Sequence, residues 1–359
     1  MTGGSSPALG AGPSRTGPGD AVPTFRGPVD PAALGPTLVH EHVFVGHPEL
    51  DLNHPHPEWD PDRAIEDAVE RLTRLHGLGV RTVVDLTVLG LGRDVARLAA
   101  VAERVPLHLV AATGYYTADV LPAFFGTHGP GRPVGGPDPL VEFFVRDIEE
   151  GIAGTGVRAG MLKVVTDEPG ITPDVARVMS AAAEAHVRTG VTITTHSRPA
   201  SRTGPAQQEF LGARGVPPER IIIGHSGDSE DLDQLRALMD AGSTIGMDRF
   251  GMEHVLPDER RVATVLALLA EGYADRMVLS HDAACFSRVT PPSWRAVHAP
   301  HWHYENLSRR VLPMLRAGGA SAADLHRMLV VNPARLLAPG PARRRHAPVA
   351  GAAPTPRPS

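Results

Sequence analysis

The feature that most constrains this chain is an alternation. Short runs of β-branched and aliphatic residues are each followed by a longer stretch with helical spacing, eight times over. The apolar runs are Thr37–Val45, Arg81–Leu86, Leu107–Ala112, Met161–Val165, Val191–His196, Arg220–His225, Ser243–Met247 and Arg276–Asp282. Apolar runs that do not alternate with polar residues imply strands buried on both faces, which means parallel strands covered by helices. Eight such units predict a closed (β/α)8 TIM barrel and not an open doubly wound sheet. No Gly-x-Gly-x-x-Gly follows the first run, which argues against a dinucleotide site. The intervening helices carry their own signals. Thr172-Pro173-Asp174 supplies a hydroxyl cap, a proline at the first position and an acid in the first turn, and Gly190 closes that helix. Ser229 is read as the cap of the helix that runs to Asp240.

Composition narrows the setting. The 42% hydrophobic content of 359 residues suits one large barrel, and no apolar run is long enough to span a membrane. Acidic residues exceed basic ones, 40 to 35, for a net charge of −5, which argues against a nucleic-acid partner. The single cysteine, Cys285, excludes an intramolecular disulfide and fits a cytoplasmic setting. Residues 1–24 and 339–359 are rich in Gly, Pro, Ser and Ala and are predicted to be disordered tails. Residues 25–338 are left as a single barrel domain. Arg343, Arg344 and Arg345 are read as part of a solvated tail.

Polar groups recur where these runs end. His40 and His42 close the first, His196 the fifth, His225 the sixth and Asp282 the eighth, and Lys163 lies within the fourth. Alternate residues of a strand share a face, so His40 and His42 point together, about 6.5–7 Å apart, and Glu41 points away. Barrel active sites gather at the C-terminal strand ends, so all these side chains are expected at one mouth. The remaining histidines lack that placement. His76, His186 and His326 fall in helical segments, His47, His54 and His56 in a Pro-rich loop, and His108 at the opposite strand end. His281 neighbours Asp282 and is expected to face the other way. An ammonium cannot ligate a metal. Lys163 is therefore either paired with an acid or carboxylated by carbon dioxide, and a carbamate would offer two oxygens to bridge two metals.

These residues resemble the phosphotriesterase family of the amidohydrolase superfamily, including its phosphotriesterase-like lactonases, across residues 34–338. The resemblance rests on Gly35-Pro36-Thr37-Leu38-Val39-His40-Glu41-His42, on Lys163 with Asp167-Glu168-Pro169-Gly170-Ile171-Thr172, and on Thr194-Thr195-His196-Ser197. It continues in Ile223-Gly224-His225-Ser226-Gly227-Asp228, Gly246-Met247-Asp248-Arg249-Phe250-Gly251, Ser280-His281-Asp282 and Asn332-Pro333-Ala334. It implies two divalent metal ions, most commonly zinc. His40, His42 and Asp282 would hold the more buried ion, His196 and His225 the more exposed one, and carboxylated Lys163 would bridge them. A metal-bridging hydroxide would attack a lactone, carboxyl ester or phosphotriester, with Asp282 accepting the proton.

The lactonase-like branch further implies roles for Tyr116, after the third strand, and Arg249, after the acid of the seventh. Wall packing is the alternative for Tyr116, and an ion pair with Asp248 or a loop acid the alternative for Arg249. The loop over 283–305, with Trp294, His298, His301, Trp302 and His303, departs from the lactonase pattern and leaves the small-molecule ester or lactone unspecified. Trp294 and Trp302 either line the pocket or pin the loop. The family also implies a homodimer. Two competing functions remain: a metal-dependent phosphodiesterase or nuclease on the same barrel, whose group lacks the bridging lysine, and a catalytically silent binding barrel, which a missing ligand would favour.

Overall fold

The computed structural model describes residues 21–341. Eight parallel strands form one sheet in sequential order. They are β1 (Thr37–Glu41), β2 (Thr82–Asp85), β3 (His108–Gly114), β4 (Ala159–Val165), β5 (Ile193–His196), β6 (Ile221–Ile223), β7 (Thr244–Met247) and β8 (Met277–Leu279). Helices cross between them, as the alternation predicts, and the architecture is a (β/α)8 barrel. Every residue of β1, β2 and β4 through β8 is buried, which is why their sequences read as unbroken apolar runs.

The barrel closes between β8 and β1 without a regular ladder. There His40 N–H donates to Ser280 Oγ at 3.0 Å, Asp282 N–H to the His40 carbonyl at 3.0 Å, and His42 N–H to the Ala283 carbonyl at 2.9 Å. Just above, Phe44–Val45 pairs in parallel with Phe286–Ser287 and extends the seam. Side chains and loop backbone therefore complete the circle, at the point where three of the expected metal ligands stand.

The helix over Pro173–Thr189 begins and ends as its sequence predicts, with Thr172 capping Val175 N–H and Gly190 left-handed at φ +73°. The expected cap at Ser229 is corrected. Asp231 caps the helix Leu232–Asp240 by accepting from Gln234 N–H at 3.0 Å. Ser229 lies two residues too early, and its hydroxyl accepts from Asp231 N–H instead. The Pro-rich loop after β1 contains a short helix, Pro48–Asn53, capped by the His47 ring.

The N-terminal boundary is also corrected. Val22–Thr24 pairs antiparallel with Gly27–Val29, so residues 22–24 are ordered despite lying in the stretch read as a tail. Val22 is fully buried, and Phe25 N–H donates to the Leu109 carbonyl at 3.0 Å, which fixes the hairpin to the N-terminal end of the barrel. Glycine and proline here serve a tight turn, with Gly27 at φ +105°. At the other end Gly340 N–H donates to the Gly190 carbonyl at 3.0 Å. The rest of both expected tails, including Arg343–Arg345, lies outside the described residues. Among the described residues no helix is long and apolar enough to cross a membrane.

Candidate metal centre

The strand alternation delivers six polar side chains to one mouth. His40 and His42 leave β1 on the same side, with ring centroids 6.2 Å apart. Lys163, in the middle of β4, is buried with Nζ 2.6 Å from His40 Nε2, its one hydrogen-bond contact among the described residues. His196 Nδ1 and His225 Nε2 stand 3.0 Å apart. Asp282 Oδ1 lies 3.2 Å from His42 Nε2 and 3.7 Å from His40 Nε2, and Oδ2 lies 3.8 Å from His225 Nε2. One ligand atom each from His40, His225 and Asp282 falls within a mutual 4.8 Å. His42, Lys163, His196 and Asp282 line a cavity of about 120 Å³ with Tyr116, Arg249 and Trp302.

The outward ring nitrogens are held from behind. His225 Nδ1 donates to Asp248 Oδ1 at 2.9 Å, and His196 Nε2 to Asp167 Oδ2 at 3.3 Å. His42 Nδ1 meets Thr87 Oγ1 at 2.9 Å, and Thr87 N–H in turn donates to Asp85 Oδ1 at 2.7 Å. His40 Nδ1 lies 2.9 Å from Asp248 Oδ2, close but off the hydrogen-bond direction, so both atoms lack an aligned partner. Carboxylates behind imidazoles fix the tautomer whose inward nitrogen carries the lone pair. Two inward lone pairs, those of His196 and His225, then face each other at 3.0 Å. Two neutral acceptors repel at that distance unless a cation or a proton lies between them. The donor set thus fits a pair of divalent ions.

Burial dominates the electrostatics. It pulls His196 down to about 4 and holds His40 and His225 well below the usual imidazole value, so these rings are neutral near pH 7. Burial likewise pulls Lys163 down to about 8, leaving an appreciable fraction as the free amine that can react with carbon dioxide. Asp282 goes the other way. Burial raises it, but the His42 hydrogen bond and the Arg249 charge outweigh that, and the carboxylate stays ionised. Asp248 is held well above the usual range by burial and by the charge of Asp282.

Backbone conformation marks the same place. His225 and Asp282 have φ of +61° and +56°, two of four positive-φ non-glycine residues among those described. Such conformations cost about 1–3 kcal/mol each and persist where the surroundings enforce them. Here they turn the two side chains inward just past β6 and β8.

The other expected residues sort cleanly. Tyr116 stands over the His196 ring at 5.7 Å between centroids, and burial with the nearby Asp282 charge pushes its phenol up to about 12. Arg249 does not pair directly with Asp248. Its Nη1 meets Asp228 at 2.9 Å and its Nε meets Asp282 at 3.2 Å. Trp302 lines the cavity and also pins the loop, donating to the carbonyls of His281 and Asp282 at 2.9 and 3.1 Å. Trp294 packs on His254 and His298, away from the cavity. His281 faces away, as alternation predicts, and pairs with Glu41 at 2.8 Å. The second layer, Asp248, Asp167 and Thr87, carries no advance signal beyond the proximity of Asp248 to Arg249 and of Asp167 to Lys163 in the chain.

Comparison with known proteins agrees with this geometry. Residues 20–337 match the model of the phosphotriesterase family. A phosphotriesterase homology protein of Mycobacterium tuberculosis (strain H37Rv) is 47% identical over 313 residues, covering 87% of this chain and 96% of its own. The aryldialkylphosphatase of Saccharolobus solfataricus is 37% identical over 302 residues, covering 84% and 94%. The solved structure of the phosphotriesterase from Mycobacterium tuberculosis superposes with a TM-score of 0.86 at 46% identity, covering 88% of this chain and 98% of that one.

Proposed function

The chain belongs to the phosphotriesterase family and is a hydrolase of that type, and from that premise we propose that it hydrolyses carboxyl esters, lactones foremost, at a centre of two divalent metal ions. The observation that carries the reading is the 3.0 Å approach of His196 Nδ1 and His225 Nε2, with carboxylates behind both rings. His40, His42 and Asp282 would hold one ion, His196 and His225 the other, and Lys163, carboxylated, both. When bound, such ions, zinc in the first instance, lower the pKa of water and polarise the substrate's carbonyl oxygen.

The side chains supply the rest. Asp282 is the proton acceptor: its carboxylate is ionised and reaches into the cavity where water would be consumed. Arg249 fixes that carboxylate through Nε and is itself tied to Asp228, so Asp282 keeps one orientation through turnover. Tyr116, protonated across the physiological range, offers a phenolic O–H to the ester oxygen. A cavity of about 120 Å³ favours a compact acyl group or ring near the ions. Phosphotriesters are the second reading, favoured by the name of the archaeal aryldialkylphosphatase. The complete set of six donors speaks against a silent barrel, and the net charge of −5 against a nuclease.

The test is a panel of lactones, aryl carboxyl esters and phosphotriesters on metal-loaded protein, with metal content measured alongside. Close to two metal ions per chain and turnover greatest on lactones or carboxyl esters is the expected result. Turnover greatest on phosphotriesters would establish the second reading instead, and full activity in metal-free protein would end both.

A further inference from the structure

A wall formed by Ala284, Arg295 and Trp302 separates the catalytic cavity from a neighbour of about 390 Å³. Arg295 is the unusual member of that wall. It is only 7% exposed, yet no carboxylate pairs with it among the described residues. Its Nη1 donates to the Ala284 carbonyl at 2.7 Å, and its Nε is buried without a hydrogen-bond partner among the described residues. Across the same cavity stands Arg71, whose Nη1 donates to the next carbonyl, that of Cys285, at 3.0 Å, again without an acid. A third arginine, Arg74, is engaged with Glu70 and Glu305.

Buried guanidinium groups are ordinarily paired, because an unpaired charge away from water is costly. Here buried Arg295 and half-buried Arg71, anchored on consecutive carbonyls, face one cavity whose lining carboxylate, Glu305, is already engaged by Arg74 and Arg309, and the pair is left short of one negative charge. Burial first, and repulsion from Arg71 after it, lower the proton affinity of Arg295, with the more distant Glu58 opposing them only weakly. An oxyanion would relieve both, and the planar fork of arginine matches carboxylate and phosphate oxygens.

We propose that the cavity between Arg71 and Arg295 is a binding site for a small oxyanion, a carboxylate or a phosphate. The assignment stands apart from the hydrolytic reading, since neither arginine belongs to the metal centre. The site is nonetheless placed to communicate with it. The Arg295 guanidinium carbon lies 5.7 Å from the Trp302 ring centre, and the Trp302 indole N–H holds the carbonyls of His281 and Asp282. The acid released by ester hydrolysis and free phosphate share the required chemistry.

The test is isothermal titration of the metal-loaded protein with inorganic phosphate and, separately, with butyrate. It is repeated on a double variant, Arg71→Gln with Arg295→Gln, in which the amide can still donate to the Ala284 and Cys285 carbonyls. Binding should weaken about tenfold or more, as expected for lost hydrogen bonds to a charged group. Tighter binding of butyrate would identify a carboxylate occupant, tighter binding of phosphate a phosphate one. The same titrations on Lys163→Ala protein separate this site from anions at the metals. Binding that persists there supports the assignment, and binding that vanishes there refutes it. Unchanged affinity in the double variant refutes it too. A crystal of unmodified protein soaked in selenate should show an anomalous peak between the two guanidinium groups, and its absence would overturn the assignment.

Discussion

Two buried polar clusters share the seam between β1 and β8, and they differ in one respect. Behind the barrel wall, Glu41 Oε1 accepts from both His281 N–H and Nδ1–H at 2.8 Å, and Oε2 accepts from Ala283 N–H at 2.9 Å. His281 Nε2 accepts in turn from Leu307 N–H at 2.9 Å. Every donor there has an acceptor. In front, one residue away along the chain, His40, His42 and Asp282 converge on His225 and His196, where His225 and Asp282 have positive φ, the two imidazole lone pairs face each other, and buried atoms lack aligned partners. Alternation along a strand thus divides the same short segments into a mortar face and a reactive face. Unmet valence, not the presence of histidine and acid, tells the site from the scaffold.

Substitutions on the two faces should fail differently. The largest effect is expected from Asp282→Asn, which keeps the shape and tolerates the left-handed backbone but cannot accept the proton. Turnover should fall by about 10²–10⁴-fold with the unfolding midpoint near wild type. A variant retaining a tenth of the activity would remove Asp282 from the reaction. On the mortar face, Glu41→Ala strands His281 and two backbone donors, and should cost about 3–5 kcal/mol in urea unfolding. A loss below 1 kcal/mol would show that the seam does not depend on this pair.

Asp248→Asn should lie between the faces. It weakens the hold on His40 and His225 and should loosen metal binding by about 10- to 100-fold in competition with a chelator, with stability changed far less. Unaltered metal affinity would make Asp248 part of the scaffold alone. The smallest effect is expected from acid on metal-stripped protein. Burial holds His196 at about 4, whereas an unfolded imidazole titrates near about 6.5. Between these values the unfolded chain binds protons that the folded chain refuses, so stability should fall as pH drops from about 6.5 towards 4. His40 and His225, also lowered, act in the same direction. The depressed Asp282 contributes above the ordinary carboxylate range and loses that contribution with further acid. A melting temperature that stays flat across pH 4–6.5 would contradict the assignment of these rings as buried and neutral.

The barrel and the reactive face were legible in the sequence because both follow from spacing. Parallel strands buried on both sides write unbroken apolar runs, and strand ends at one mouth collect His40, His42, His196, His225 and Asp282 whatever the helices do. What stayed hidden depends on encounters between distant segments. Asp248 reaches His40 and His225 because β7 packs beside β6 and its end curls inward, which no local pattern records. The Val22–Val29 hairpin was obscured because turn chemistry and disorder draw on the same residues, glycine and proline. Ser229 and Asp231 are both competent caps, and only the turn at Ser226–Asp228 decides between them.

The closure of the barrel by side chains bears on how the chain is made. The bonds that join β1 to β8 span 240 residues, so they form only after the chain has left the ribosome as far as Ser280 and His281. Closing a loop of that length is slow, and until it closes the first strand presents an open edge. A nascent chain halted before Ser280 therefore carries His40 and His42 without Asp282, next to an edge that other chains can join. Synthesis has to outpace that encounter, and the last strand to emerge is the one that ends it.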